Sequence, residues 1–320
     1  MNGASTAAVE LRRVVKRFAG HTAVRGLSLT VPRGGMFGLL GPNGAGKTTT
    51  IRMIMNVLTP DEGSVLVFGA PAGRALSPRV GFLPEERGLY KRMRVLDHLV
   101  FLGETKGMAI GSARRAAGDW LDRLGLSEWA HRRIEDLSKG MQQKVQFIGT
   151  VLHGPELLVL DEPFSGLDPV NAQVMKDAVL EFARGGGTVL FSTHIMEQAE
   201  RMCDRVVIIA RGEKVVDGTL AEVKREAGGR HIGLTFTSGR DRAAAVLADR
   251  ALVRQVHDDG GSAEVELAPD VEPEALLRAL VASGAGLSNF SVREPSLQSI
   301  FIAKVGAQAA RTAHREVEHA

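Results

Sequence analysis

One lysine stands among closely spaced glycines and threonines in the stretch GPNGAGKTTT, which runs from Gly41 to Thr50. Glycines let successive backbone N–H groups point into one concavity, and the helix that follows adds its unpaired N-terminal donors. Such a concavity suits phosphate. Lys47 can then reach the β and γ phosphates of a nucleotide, and the hydroxyl of Thr48 can ligate Mg²⁺. The loop therefore predicts binding of a nucleoside triphosphate.

Two adjacent carboxylates follow an apolar run in the stretch ELLVLDEP. Leu157 to Leu160 is predicted to be a buried strand, and a strand that ends beside a phosphate loop is where an Mg²⁺-coordinating aspartate belongs, which makes Asp161 the metal candidate. Glu162 is placed to orient or deprotonate the water that attacks the γ phosphate. Without the phosphate loop the same pair would indicate a solvated turn.

Composition limits the class of protein. The 320 residues include 40 Lys and Arg against 37 Asp and Glu, and a formal charge of +3 gives no reason to expect nucleic acid. The clusters LRR, ARR and HRR are interpreted as solvated helix faces. The single cysteine, Cys203, excludes internal disulfides and cysteine-based zinc sites, and we expect it to be buried. No run approaches the roughly 20 apolar residues of a membrane span, so we expect a soluble, cytoplasmic chain.

The pattern of elements predicts two domains. In the first two thirds, short apolar strands alternate with amphipathic helices, which is typical of a mostly parallel sheet covered by helices. From Val95 to about Leu126 the pattern is helical. From His231 to Val292 the order is β-α-β-β-α-β, a ferredoxin-like pattern with a turn at Asp259 to Gly261. One more amphipathic helix is expected in PSLQSIFIAKV.

Five motifs occur in a fixed order, namely GPNGAGKTT, LSKGMQQK, LLVLDEP, SGLDP and STH. They resemble the Walker A, signature, Walker B, D-loop and switch-histidine motifs of ABC-type ATPases. The resemblance implies an α/β P-loop NTPase cassette at residues 8–225, with a mostly parallel core sheet, an antiparallel β subdomain and a helical signature subdomain at about residues 92–152. We expect a disordered N-terminus at residues 1–7, a small ferredoxin-like α+β domain at residues 226–305, and a flexible tail at residues 306–320.

The resemblance also implies a head-to-tail dimer, in which ATP lies between the Walker A motif of one subunit and the signature motif of the other. Ser138 and Gly140 would contact the γ phosphate across the interface, Asp168 would help to join the two sites, and His194 would contact the γ phosphate within its own subunit. Phe18 matches the aromatic residue that stacks on adenine, and a core position in a strand is the alternative. The other expected contacts to the nucleotide are Gly41, Pro42, Asn43, Gly44, Ala45, Gly46, Lys47, Thr48 and Thr49, and the expected catalytic residues are Lys47, Glu162 and His194.

Two motifs depart from the usual family pattern. Glu85, in LPEERGLY, stands where the family usually has glutamine. A third carboxylate beside the DE pair is repulsive unless a metal neutralises it, so Glu85 joins Thr48 and Asp161 as an expected Mg²⁺ ligand. The signature reads LSKGM and not LSGGQ, with Lys139 in place of a glycine and Met141 in place of glutamine.

The segments LPEERGLY and LSKGMQQK, with the C-terminal stretch SLQSIFIAKV, resemble the ATPases of ABC-2-type exporters, including sodium and drug exporters. We therefore expect a subunit that binds ATP and Mg²⁺, hydrolyses ATP, forms a homodimer with ATP, and powers a separate permease on the inner face of the cell membrane, with no nucleic acid partner. One alternative is a soluble ABC-type ATPase that acts on nucleic acid or the ribosome. The other is a regulator that binds nucleotide and does not transport.

Overall fold

The computed structural model describes residues 7–86, 88–228, 230–258 and 260–305. The chain forms two compact units, Met1–Asp217 and Gly218–Ala320. The boundary expected at residues 225 and 226 stays a prediction. The expected N-terminal and C-terminal tails and the turn residue Asp259 lie outside the described residues, apart from Ala7, where the first strand begins.

The strands up to residue 219 are β1 Ala7–Phe18, β2 His21–Pro32, β3 Gly35–Leu40, β4 Glu62–Val67, β5 Ala70–Pro71, β6 Val80–Leu83, β7 Leu157–Asp161, β8 Thr188–Thr193, β9 Arg205–Ala210 and β10 Glu213–Thr219. The α-helices in the same part are α1 Lys47–Ile54, α2 Val95–Thr105, α3 Ile110–Arg123, α4 Lys139–Val151, α5 Pro169–Arg184 and α6 Met196–Met202.

The central sheet has the strand order β10-β9-β3-β8-β7-β6. Its inner strands are parallel, since β3 pairs with both β8 and β9, and β7 pairs with β8 and β6. They are apolar along their whole length because both faces of such a sheet are covered, and Leu157 to Leu160 are completely buried. The loops after β3, β7 and β8 therefore leave the same edge of the sheet, which brings their polar residues together.

A second, antiparallel sheet has the order β2-β1-β4-β5 and shares an apolar core with α1 and the central sheet. The segment with α2, α3 and α4 forms the helical part of the unit. The interpretation of the basic clusters as helix faces is wrong for two of the three. LRR lies in β1, where Leu11 is buried and the two arginines are exposed. HRR lies between two short 3-10 helices, where Arg133 forms an isolated β-bridge with Arg94.

The second unit has the strands β11 His231–Ser238, β12 Val253–Asp258, β13 Ser262–Leu267 and β14 Gly286–Arg293, and the helices α7 Leu220–Ala227, α8 Arg240–Ala248, α9 Pro273–Ala282 and, at residues 297–305, α10. Its sheet has the order β12-β13-β11-β14 with antiparallel pairs, which is ferredoxin-like. The expected fold class is confirmed.

Glu264, on β13, fixes the start of α10. Its carboxylate accepts hydrogen bonds from the backbone N–H of Ser296 at 3.0 Å, from Ser296 Oγ at 2.5 Å and from Ser299 Oγ at 2.8 Å. His231 Nδ1 lies 3.3 Å from Glu264 Oε1. Burial raises the pKa of Glu264, but the donors of His231, Ser296 and Ser299 outweigh it and hold this pKa at about 2.

Candidate nucleotide-binding site

The loop between β3 and α1 brings bare backbone close to its neighbours. Gly41 has a φ of 151°, and a Cβ added there would lie 2.2 Å from the carbonyl oxygen of Ile209. Gly46 has a φ of 104°, and its Cβ would lie 2.5 Å from the carbonyl oxygen of Ala23. No residue with a side chain fits at either position. Glycine is therefore required where the loop backbone has a positive φ and lies close to neighbouring carbonyl oxygens.

Lys47 is the first residue of α1, and its side chain is buried, with 6 % exposed. Its Nζ donates to the carbonyl oxygens of Gly41 at 2.7 Å and Pro42 at 3.2 Å, and lies 3.6 Å from Glu162 Oε1. A buried ammonium group needs such oxygens because burial without partners is costly. The positive charge is therefore held in the concavity of the loop.

Ser192, on β8, bonds to both Asp161, the last residue of β7, and Glu162, which follows it. Its Oγ donates to Asp161 Oδ1 at 2.5 Å and accepts from the backbone N–H of Glu162 at 3.2 Å. Glu162 has a φ of 48°, which is an uncommon conformation for a residue with a side chain and a form of local strain. His194 Nδ1 lies within hydrogen-bond distance of Glu162 Oε1, at 2.9 Å. One carboxylate oxygen thus faces both Lys47 and His194.

A cavity of about 570 Å³ opens over these residues. This volume lies in the range of small-molecule sites. Phe18 is 47 % exposed and lines the cavity, so the alternative of a core phenylalanine is excluded. The other lining residues are His21, Ala23, Asn43, Gly44, Ala45, Gly46, Lys47, Thr48, Thr49, Glu85, Glu162, Ser165 and His194.

The structure does not bring Ser138, Gly140 or Asp168 to this cavity. Ser138 is exposed and caps α4, where its Oγ accepts from the backbone N–H of Met141 at 3.3 Å. Asp168 caps α5, and hydrogen bonds from Asn171 lower its pKa. A Cβ on Gly140 would lie 3.1 Å from Asn171 Nδ2. These three residues form a second polar surface of the same unit.

The side-chain oxygens at the phosphate loop and at the end of β7 are of the type that Mg²⁺ prefers. Thr48 and Glu85 line the cavity, and Asp161, which ends β7, is bonded to Ser192 and precedes the lining residue Glu162. Within the described ranges, no three His, Cys, Asp or Glu side chains are placed to hold a metal by themselves. This agrees with the habit of Mg²⁺, which takes one or two protein carboxylates and completes its shell with waters and substrate phosphates.

The sequence reasoning missed Ser192 and a neighbouring cavity. Ser192 is the second residue before the switch histidine in FSTH, so the motif contains it. Its contact with Asp161, however, depends on the pairing of β7 with β8. The neighbouring cavity, of about 470 Å³, is lined by Glu85, Lys91, Gln142, Gln143, Glu162, Ser165 and Gly166. Lys91 lies outside the motifs, and Gln142, although part of LSKGMQQK, was not expected at a cavity; the packing of α4 against the loop after β6 reveals both.

Comparison with known proteins identifies the family. Residues 24–165 match the ABC transporter family. The ABC transporter ATP-binding protein YhaQ of Bacillus subtilis (strain 168), whose function is uncharacterised, is 43 % identical over 294 residues, which cover 92 % of this chain and 97 % of YhaQ. The chain belongs to the ABC transporter ATP-binding proteins.

This ABC ATP-binding protein also carries a recognisable second unit. Residues 218–305 match the C-terminal domain of the DrrA1-3-like ATP-binding proteins. The daunorubicin/doxorubicin resistance ATP-binding protein DrrA of Streptomyces peucetius is 32 % identical over 313 residues, covering 96 % of this chain and 94 % of DrrA. The expected resemblance to the ATPases of ABC-2-type exporters is confirmed.

Solved structures agree with this assignment. The structure of an ATP-binding subunit of an ABC transporter superposes with a TM-score of 0.64 at 30 % identity, covering 68 % of this chain and 92 % of that one. Membership of the family implies ATP binding and ATP hydrolysis. In the part of the chain that the structure describes, no helix combines the length and apolar character needed to cross a bilayer.

Proposed function

We propose that this protein is the ATP-hydrolysing subunit of an ABC-2-type exporter and powers a separate permease. The observation that carries the proposal is the combination of a cassette holding Lys47, Glu162 and His194 around one cavity with a C-terminal DrrA-like domain. DNA- or ribosome-acting ABC ATPases are disfavoured, because the described helices are too short for long coiled coils and the phosphate-loop motif occurs once.

The chemistry follows from the side chains around the cavity. Glu162 orients a water molecule and takes its proton as the water oxygen bonds to the γ phosphorus and the bond to the bridging oxygen breaks. Lys47 and the loop N–H groups neutralise the phosphate oxygens, and His194 holds Glu162 and the γ phosphate in place. Mg²⁺, held by Thr48 and Asp161 with Glu85 nearby, would supply further positive charge to the phosphates. Phe18 stacks on the adenine.

The active form is a head-to-tail homodimer. Ser138 and Gly140 lie outside the cavity of their own chain, so they are free to meet the γ phosphate bound by a second copy. The exposed N-terminus of α4 points donors at that phosphate, as helix N-termini do at anions. Asp168 lies beside Gly140, on the same surface, and joins the two copies.

The permease docks on the helical part of the cassette, which places the protein on the inner face of the cell membrane. Tyr90 is 55 % exposed and Phe101 is 40 % exposed, and their ring centroids are 5.6 Å apart in an edge contact. The ring of His98 supports Tyr90 from below, also at 5.6 Å. Exposed aromatic residues of this kind are enriched where proteins meet.

The decisive experiment compares Lys47→Ala with the native chain in Mg-ATP hydrolysis. We expect loss of turnover in the presence of a correctly folded protein, because the loop backbone remains and only the phosphate-reaching charge is removed. Lys304→Ala, an exposed lysine on α10, is the matched control and should hydrolyse ATP normally. Purification of the tagged chain from detergent-solubilised membranes should recover a membrane-spanning partner, and recovery of ribosomes or DNA instead would refute the exporter role.

A further inference from the structure

Four exposed arginines lie on two short segments that pair in the helical part of the first unit. The segments are joined by backbone hydrogen bonds from the N–H of Val95 to the oxygen of Arg132 at 3.0 Å and from the N–H of Ile134 to the oxygen of Met93 at 3.1 Å. We call these residues the arginine patch: Arg92, Arg94, Arg132 and Arg133.

Two members of the patch are fixed directly opposite each other. Arg94 and Arg133 form an isolated antiparallel β-bridge, and both have extended backbone. The residues that follow them, Val95 and Ile134, are completely buried, so the arginine side chains point away from the core. Like charges that face each other across paired strands are destabilising, so an anion bound between them would relieve the repulsion.

Among the described residues, only one of the four arginines of the patch has an acidic partner. Glu135 pairs with Arg133 at 3.2 Å, and Asp97 lies 3.8 Å from Arg114 of α3. Arg92, Arg94 and Arg132 have no acidic partner among the residues that the structure describes. Three guanidinium groups therefore face solvent with their charge unbalanced.

We propose that the arginine patch binds the anionic phospholipid headgroups of the membrane. Guanidinium groups match phosphate oxygens with paired N–H donors, and basic clusters on protein surfaces are attracted to anionic leaflets. The patch consists of four exposed guanidinium groups on two paired segments, so charge is what it offers to a partner, which suits a diffuse anionic surface. The proposal rests on the proposed function, since the patch adjoins Tyr90 at the surface assigned to the permease.

The test is sedimentation of the full-length chain with vesicles of equal parts phosphatidylglycerol and phosphatidylcholine, and with phosphatidylcholine vesicles alone. The native chain should bind only the anionic vesicles, and less strongly as salt rises. Arg92→Gln with Arg132→Gln should weaken this binding about 25-fold, roughly fivefold for each charge removed. Both side chains are exposed, and the backbone bonds of the segment do not depend on them.

The matched control removes two exposed arginines elsewhere, with Arg225→Gln and Arg278→Gln, and should leave vesicle binding unchanged. Equal loss in both double variants, or no vesicle binding by the native chain, overturns the proposal, as does tighter binding of the patch to duplex DNA than to the anionic vesicles. ATP hydrolysis is measured on every variant. If the native chain hydrolyses ATP but Arg92→Gln with Arg132→Gln does not weaken vesicle binding, only the lipid role of the patch is rejected. If the native chain does not hydrolyse ATP, the proposed function is rejected.

Discussion

Glu162 is held from both sides by residues of other strands and loops. Its backbone N–H binds Ser192, and its carboxylate faces His194 at 2.9 Å and Lys47 at 3.6 Å. A strained φ of 48° persists only where the surroundings fix it. The side chain is therefore positioned before any nucleotide phosphate arrives.

Replacing Glu162 by Gln keeps the shape and removes the charge that accepts a proton. We expect hydrolysis to fall at least about 100-fold while ATP binding is retained, because general-base catalysis contributes roughly 10²- to 10⁴-fold. The measurements are phosphate release and equilibrium binding of ATP. Glu128→Gln, an exposed glutamate of the helical part, should behave as the native chain. Normal turnover in Glu162→Gln would assign the proton to another residue.

Residue types were predictable here, but their geometry was not. Lys47, Thr48, Asp161 and Glu162 stand out because phosphate and Mg²⁺ chemistry needs those side chains at that spacing. The contact between Ser192 and Asp161 arises from strand pairing between distant parts of the chain. Neither spacing nor periodicity contains that register, so the sequence alone could not show it.

At the scale of elements, the carboxyl edge of the parallel sheet organises the site. The phosphate loop follows β3, the carboxylates follow β7 and the histidine follows β8, and these strands are neighbours. Strand identity was predictable from apolar runs, whereas the arginines of HRR were mistaken for a helix face. The reason is that Ile134 is buried by a backbone pair with the segment before α2, a contact that local periodicity does not encode.

The start of α10 depends on an ionised carboxylate. The pKa of Glu264 in the folded chain is about 2, below the ordinary 4.5, so its stabilising effect is complete above pH 4.5 and is lost as the pH falls toward 2. From the shift of pKa, the effect is at most on the order of 3 kcal/mol. Glu264→Gln should remove it at neutral pH.

Hydrogen exchange of the amides in residues 296–305 measures this effect without unfolding the rest of the chain. At pH 7 exchange should be faster in Glu264→Gln than in the native chain, and this difference should shrink as the pH falls from 4.5 toward 2. Glu274→Gln, an exposed glutamate of α9, is the control and should match the native chain. Equal protection of α10 in all three proteins at pH 7 would contradict the role of Glu264.

At the scale of the whole molecule, the residues expected to contact ATP lie on two surfaces of the cassette. The cavity contains the phosphate loop, and the signature residues Ser138 and Gly140 lie elsewhere on the same chain. The order of five short motifs predicted the cassette, and the β-α-β-β-α-β order of elements predicted the second unit. The motifs could not predict the surface formed by the exposed rings of Tyr90 and Phe101, because the exposure of these rings depends on how α2 packs.

We expect the oligomeric state of the chain to depend on bound ATP. Glu162→Gln with ATP should shift from monomer toward dimer because the bound γ phosphate persists and bridges to Ser138 of a second copy. Adding Ser138→Arg should reverse the shift by steric and charge conflict, whereas Ser127→Arg, an exposed site outside the signature, should not. Light scattering or sedimentation velocity measures the mass. A mass that does not change with ATP in any variant would count against the shared site.

The position of β3 in the central sheet has a consequence for biosynthesis. β3 is translated early, yet its partners come late, since Gly35 pairs with Thr188 and Phe37 with Arg205. Contacts so distant in sequence form slowly, and an unpaired apolar strand invites association with other chains. A nascent chain in which β8 and β9 have not yet emerged therefore presents Met36 to Leu40 with both edges open, and association with other chains should be strongest at this stage of synthesis.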